Sequence, residues 1–385
     1  MSSIRDHHGK WQARYYDPSG KLRSKSFARK TDARAFLAAM ETDKRRGTWV
    51  DPRTSKIGFT TYADLYLAEK LAIRPRTRDK YESSLHNHLV PAFAQTPIGA
   101  ITRGNVQSWI AGMDRRGLGA ETVRGHYSLL AAIMKRAAQD GLISKSPCVN
   151  VELPRIIREE QRYLSENEVE QLVEVQPPRY QVLIYTACYV GCRWQELAGL
   201  RRAALDMRPG RLATMRLVST IERSNGRYRI VEYGKSEAAR RTLKMPGFLR
   251  EALAWHLQAF SNDEWVFSSP EGGFLRYDNF RSRVWLPAVA QAGLAPLTFH
   301  QLRHTAAAFM IDDGADPLQV KRRMGHKDVR TSLNVYGHLF PDRQEELVAA
   351  LDRRRESVQD VAQTWPASGG EVVGLKGKRA ADQDF

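Results

Sequence analysis

The chain has 385 residues, enough for two or three domains that each bury a core, and its formal net charge of +17 points to a polyanionic partner. Nucleic acid is the first such partner and a membrane surface the second. Three cysteines (Cys148, Cys188 and Cys192) make no disulfide framework, and the longest apolar run, around Val182 to Cys192, is too short to span a bilayer as a helix.

Residues 1–56 are strongly basic, with Lys and Arg exceeding Asp and Glu by eight. GKWQARYYDPSGKLRSKSF alternates like a strand pair joined at Asp17-Pro18-Ser19-Gly20. A helix follows Thr31, with Phe36, Leu37 and Met40 inward and Gly47 as its stop. This small basic module reads as a DNA binder, with Trp11, Arg14, Lys21, Arg23 and Lys25 as its candidate contacts.

Residues 57–155 read as a compact four-helix domain. The first helix carries Tyr62, Leu65 and Tyr66. The second starts at Thr77, carries Tyr81, Leu85 and Leu89, and is expected to end at Pro91. The third follows Thr102 with Val106, Trp109, Ile110 and Met113, and the fourth carries Val123, Tyr127, Leu130, Met134 and Ala137. Arg74, Arg76, Arg78 and Lys80 cluster at the start of the second helix, where they could address a DNA backbone. An extended connection, LISKSPCVNVELPR, follows.

Residues 160–350 read as mixed α+β. Ser165 and Glu168 form a capping box, and an apolar helix from Tyr180 to Tyr189 leads into VGCRWQEL. Strands are expected over Leu212 to Arg223, over Arg227 to Tyr233 after an Asn225-Gly226 turn, and over Thr242 to Met245. Helices resume with Leu249, Leu253, Leu257 and Phe260. Residues 356–385, polar and Gly-rich, read as a disordered tail. The fold class expected is multidomain and mainly α with small β-sheets.

The stretch TFHQLRHTAAAFMIDDGADPLQVKRRMGHKDVRTSLNVYGHLF holds His300, Arg303, His326 and Tyr336. Thr298 can N-cap a helix that puts His300 and Arg303 on one face. A second helix starts at Asp316-Pro317 and stops near Gly325, with His326 just past it. His300, His304, His326 and His338 fit no usual zinc spacing, so no metal is expected. No GxxxxGK[ST] loop is present, so no nucleotide cofactor is expected either.

VGCRWQEL, Lys235 in its turn, HQLRH, MGH and Tyr336 follow one another in the order of the tyrosine recombinases. The layout resembles temperate-phage integrases, and YGHLFPD resembles those of actinobacterial phages and integrative elements. Val190, Cys192 and Met324 depart from the family's usual residues without removing a reacting group. The resemblance implies an arm-site module at 1–56, a core-site domain at 57–155 and a catalytic domain at 160–350. It further implies a homotetramer on double-stranded DNA with a Holliday junction, an excisionase and a host DNA-bending factor, in the cytoplasm at the nucleoid.

The chemistry fits those residues on its own terms. A phenol of pKa about 10 is roughly one part in a thousand ionised at neutral pH, so it needs help losing its proton. Arg193 and Arg303 can grip phosphate oxygens bidentately, His300 can accept the tyrosine proton and His326 can bond a non-bridging oxygen. Lys235, with Lys244 as its alternative, is the candidate acid for the leaving oxygen, and Glu196 orients the site. Attack by Tyr336 gives a 3′-phosphotyrosyl link, as the resemblance implies. Two other readings stay open: a type IB topoisomerase, which uses the same residue types, and a DNA-binding regulator with an inactive site.

Overall fold

In the computed structural model the described residues are 2–17, 20–45, 49–51, 54–157, 161–232, 240–260 and 262–359. Their apolar side chains gather into separate clusters, one in the N-terminal module, one in the helical segment and two in the remainder.

The N-terminal module is a three-stranded antiparallel sheet, β1 (Ser3–His7), β2 (Lys10–Tyr16) and β3 (Leu22–Phe27), covered on one face by α1 (Lys30–Arg45). Two strands were expected and β1 is additional. It pairs with β2 across a tight turn at His8 and Gly9, both at positive φ. Ala13 and Tyr15 are buried against Ala33 and Leu37 of α1. Period-two alternation therefore fixes which side chains reach the outer face. Trp11 pairs with Phe27, Ala13 with Lys25 and Tyr15 with Arg23, so Trp11, Lys25 and Arg23 lie on the helix side. Arg23 is bonded to Asp17 (3.0 Å) and Asp51 (2.7 Å), and Lys25 Nζ sits over the Phe27 and Phe36 rings. The outer face carries Arg5, Gln12, Arg14 and Ser24, with Arg5 donating to Gln12 and Gln12 to Ser24. Gly47 lies outside the described residues.

The helical segment contains α2 (Phe59–Ala68), α3 (Pro75–Ser84), α4 (Val90–Phe93), α5 (Arg103–Arg115) and α6 (Ala120–Gln139). Tyr62 and Tyr66 are buried, whereas Leu65 points outward. The second helix does not stop at Pro91. A π-turn over Leu85–Leu89 joins α3 to α4, with Val90 N–H reaching back to Leu85 O. The wider turn lets the chain carry a residue with no N–H through the bend.

The rest of the chain is built around α8 (Pro178–Val190), which is apolar on nearly every side and packs against α7 (Glu166–Glu174). Next come α9 (Trp194–Ala198), β4 (Leu205–Asp206), β5 (Thr214–Leu217), β6 (Ser219–Ser224), β7 (Arg227–Glu232) and β8 (Arg241–Lys244). The single strand expected over Leu212 to Arg223 is two, interrupted at Val218. β5 joins β4 and β8 in one sheet, and among the described residues β6 pairs with β7 alone, across the Asn225-Gly226 turn. That turn touches the helical segment, where Asp79 of α3 accepts from Asn225 N–H at 2.8 Å.

Helices α10 (Gly247–Ala259), α11 (Tyr277–Phe280) and α12 (Leu286–Gln291) follow, with a second π-turn, Arg281–Trp285, just ahead of Pro287. Then come α13 (Phe299–Asp312), α14 (Pro317–Met324) and α15 (Val329–Tyr336). The last helix, α16 (Gln344–Gln359), runs four residues into the segment expected as a tail, and residues 360–385 lie outside the described residues. Cys188 and Cys192 are buried in the core, as their apolar surroundings suggested. No described helix is long and apolar enough to cross a membrane.

Candidate active site

The site assembles around the C-terminal end of α14. Asp316 caps the start of this helix, accepting from Leu318 N–H and Gln319 N–H, and Gly325 ends it in the left-handed conformation (φ 64°). A helix C-terminus leaves carbonyls without intrahelical partners and carries partial negative charge. Three successive carbonyls here each accept from a different arginine. Arg241 Nε donates to Arg323 O at 2.9 Å, Arg303 to Met324 O, and Arg193 to Gly325 O at 3.4 Å.

Arg193 sits at the junction of two helices. α8 ends at Gly191 (φ 79°), where a Cβ would come 2.9 Å from Met324 Sδ. Two residues later Arg193 is the N-cap of α9, with Glu196 at the third helical position. The Glu196 carboxylate accepts from Arg193 N–H (2.7 Å) and from its guanidinium (3.0 Å). Glu196 is fully buried and takes a bidentate pair from Arg241 at 2.9 and 3.0 Å. Burial alone would raise its pKa, but the bonds and charge of Arg241 and Arg193 hold it at about 2. Glu196 is thereby bonded to both Arg193 and Arg241. Arg241 was not anticipated, although an arginine on the same strand face as buried Leu243 is a readable signal.

Arg303 projects from the first turns of α13, whose start is capped by Thr298 and Gln301. It is buried and donates to Gly191 O and Met324 O. Burial first, then the charge of Arg193, brings its pKa down to about 10, so it stays a cation at neutral pH.

Tyr336, at the end of α15, is buried among Ala307, Ile311, Val320 and Met324. Its hydroxyl is 2.8 Å from His304 Nδ1. Burial pushes the phenol up to about 12, against the downward pull of Arg303 and Arg193. His304 is brought down to about 4 by burial, then by His300 and Arg303. Sequence reasoning weighed His304 only as a metal ligand, yet it lies one helical turn from His300. His326 follows Gly325, and its Nδ1 is 2.9 Å from Ser332 Oγ. Its ring is stacked parallel to that of Tyr336 at 6.5 Å, and burial and Arg303 hold its pKa near 4.

His300 does not meet the phenol. It lines a cavity of about 600 Å³ with Arg193, Trp194, Arg223 and Arg76 of α3. A second opening has a volume of about 980 Å³. His304, Asn334 and His338 line it opposite Gly119 and Ala120 at the start of α6. Of the four basic residues singled out around α3, Arg76 faces the first cavity and Arg74 and Lys80 are exposed. Arg78 instead donates to Leu67 O and Lys70 O within its own segment. Lys235 lies outside the described residues. Lys244, at the end of β8, is exposed, and its carbonyl accepts from Arg323.

The profile of the phage integrase family matches residues 162–343, that of the phage integrase N-terminal domain 5–46, and that of the N-terminal SAM-like domain 58–113. The phiRv2 prophage integrase of Mycobacterium tuberculosis is 30% identical over 362 residues, covering 91% of this chain and 94% of that protein. The chain belongs to the phage integrase family. It is an integrase of the tyrosine recombinase type, an enzyme that breaks and rejoins DNA. Among solved structures, the Tn1549 transposon integrase in complex with a circular intermediate DNA has a TM-score of 0.66 and 17% identity, covering 80% of this chain and 100% of that one. A lambda integrase tetramer bound to a Holliday junction has a TM-score of 0.56 and 18% identity, covering 85% and 95%. The integrase shares their fold, mainly helical with small antiparallel sheets.

Proposed function

We propose that this integrase cuts DNA by attack of Tyr336 Oη on a phosphodiester, forming a 3′-phosphotyrosyl link and a free 5′-hydroxyl. Arg193 and Arg303 hold the phosphate, and His326 and His300 bond its oxygens or flank it. Lys235 protonates the leaving oxygen, and Glu196 fixes Arg193. The observation that carries this reading is the convergence of Arg193, Arg303, His326 and Tyr336, from separate stretches of chain, on the end of one helix. The link retains the phosphodiester's energy, so religation by a 5′-hydroxyl needs no nucleotide.

The core-site duplex would run along the cavities at His300 and His304, whose other walls include Arg76 of α3 and Gly119 and Ala120 at the start of α6. By analogy with the lambda complex, four copies would act on two duplexes through a Holliday junction, with an excisionase and a bending factor setting direction, in the cytoplasm. The test is covalent capture. Nicked duplexes made from element and host sequences lose the short strand after cleavage and cannot be resealed. A protein–DNA adduct that survives denaturation is expected. If none forms on any fragment while the protein still binds DNA, the chain is a regulator.

Residues 1–56 would hold separate arm sites through the outer face of their sheet. Deleting them is expected to abolish arm-DNA binding and leave cleavage of a nicked core site intact. Arg5→Ala and Arg14→Ala should each lower the salt dependence of binding by about one counterion. Arg23→Ala should lower the melting temperature instead, because Arg23 is held by two carboxylates. Equal displacement of the bound module by specific and random duplex, measured at physiological salt, would reduce it to a charged tether.

A further inference from the structure

We propose that His304 is the proton acceptor for the Tyr336 hydroxyl. The proposal rests on the reading of Tyr336 as the nucleophile. Three observations carry it. His304 Nδ1 is 2.8 Å from Tyr336 Oη, within direct proton-transfer reach. The two rings are locked in that relation, since His304 is set by the middle of α13 and Tyr336 by the apolar cluster that α13, α14 and α15 share. His300 is displaced from the phenol by one turn of α13, and its ring stands edge-on to that of His304 at 5.1 Å.

The step balances within the site. A lone pair of Oη forms the bond to phosphorus, and the hydroxyl proton passes to Nδ1. The bond from phosphorus to the 5′ oxygen breaks, and that oxygen takes a proton from the general acid. Religation returns both protons.

The same surroundings keep the pair idle without DNA. Burial, His300 and Arg303 hold the imidazole neutral, while burial holds the phenol protonated. Transfer is then strongly uphill. A phosphate seated on Arg193 and Arg303 brings negative charge that offsets the like-charge penalty on an imidazolium, so the acceptor strengthens when substrate is in place. The nucleophile is activated by the DNA it is about to cut.

The experiment measures single-turnover adduct formation on a nicked substrate at saturating DNA, with melting temperature and DNA affinity as controls. His304→Gln keeps a polar partner beside Oη but takes no proton. It should slow adduct formation by about 10²- to 10⁴-fold with DNA affinity retained. Replacing Tyr336 by the more acidic difluorotyrosine should shrink that deficit at least about tenfold, because a better acid needs less of a base. Imidazole in solution should restore part of the rate of His304→Ala. A wild-type rate in the Gln variant overturns the proposal. So does a deficit that neither difluorotyrosine nor imidazole changes, which would make His304 a packing partner. If the wild-type adduct maps to another tyrosine, the nucleophile assignment itself fails, a result that needs no His304 variant to recognise.

Discussion

Tyr336→Phe is expected to leave no covalent DNA adduct while core-site binding stays close to wild type. The substitution removes one hydroxyl and no charge. The ring keeps its place among Ala307, Ile311, Val320 and Met324, and among the described residues the hydrogen bond it loses is the one to His304. The stability cost is that of one hydrogen bond, about 1 kcal/mol, so the protein remains folded. The effect on chemistry is total, because no other side chain in the cluster can form the ester. Peptide mapping of the wild-type adduct should place the DNA on Tyr336. A nucleotide on Tyr277, which lines the Arg193 cavity, would sink the assignment.

Arg303→Lys and Arg193→Lys should both slow cleavage by on the order of 10²- to 10³-fold, yet differ in stability. Each keeps a positive charge and loses the planar fork. Arg303 is buried and serves two carbonyls at once, Gly191 O and Met324 O. A single ammonium does not span both, and a buried carbonyl left without a donor costs about 1–3 kcal/mol. The melting temperature should therefore fall clearly for Arg303→Lys. The Arg193 side chain is 38% exposed, and its backbone N–H keeps the bond to Glu196 whatever the side chain, so Arg193→Lys should melt near wild type. Wild-type cleavage by either variant would make that arginine structural.

Much of this architecture is legible in the chain, for identifiable reasons. Helix ends with strong local chemistry, such as Thr298, Asp316-Pro317 and Gly325, fall where their caps predict. Features set by tertiary context do not. β1 has one apolar residue that packs inward, Ile4, and its turn uses His8-Gly9 rather than a commoner pair. The π-turn ahead of Pro91 is set by the surrounding packing and has no sequence mark of its own, so the proline there reads as a stop. In the site, the residue types proposed to react were legible as a motif set, but which histidine meets the phenol was not. His300 and His304 share a helix face, and only the placement of α15 decides between them.

The carbonyls of residues 323 to 325 have a mechanical consequence. Arg241, Arg303 and Arg193 come from a strand and two different helices, yet each is tethered to a neighbouring link of the same short peptide run. Their guanidiniums therefore do not move independently. If Arg193 and Arg303 seat the phosphate as proposed, a shift of that run moves this seat together with Arg241, which holds Glu196. A force applied at α15, immediately downstream of that run, would act on the whole seat as a lever acts on a latch.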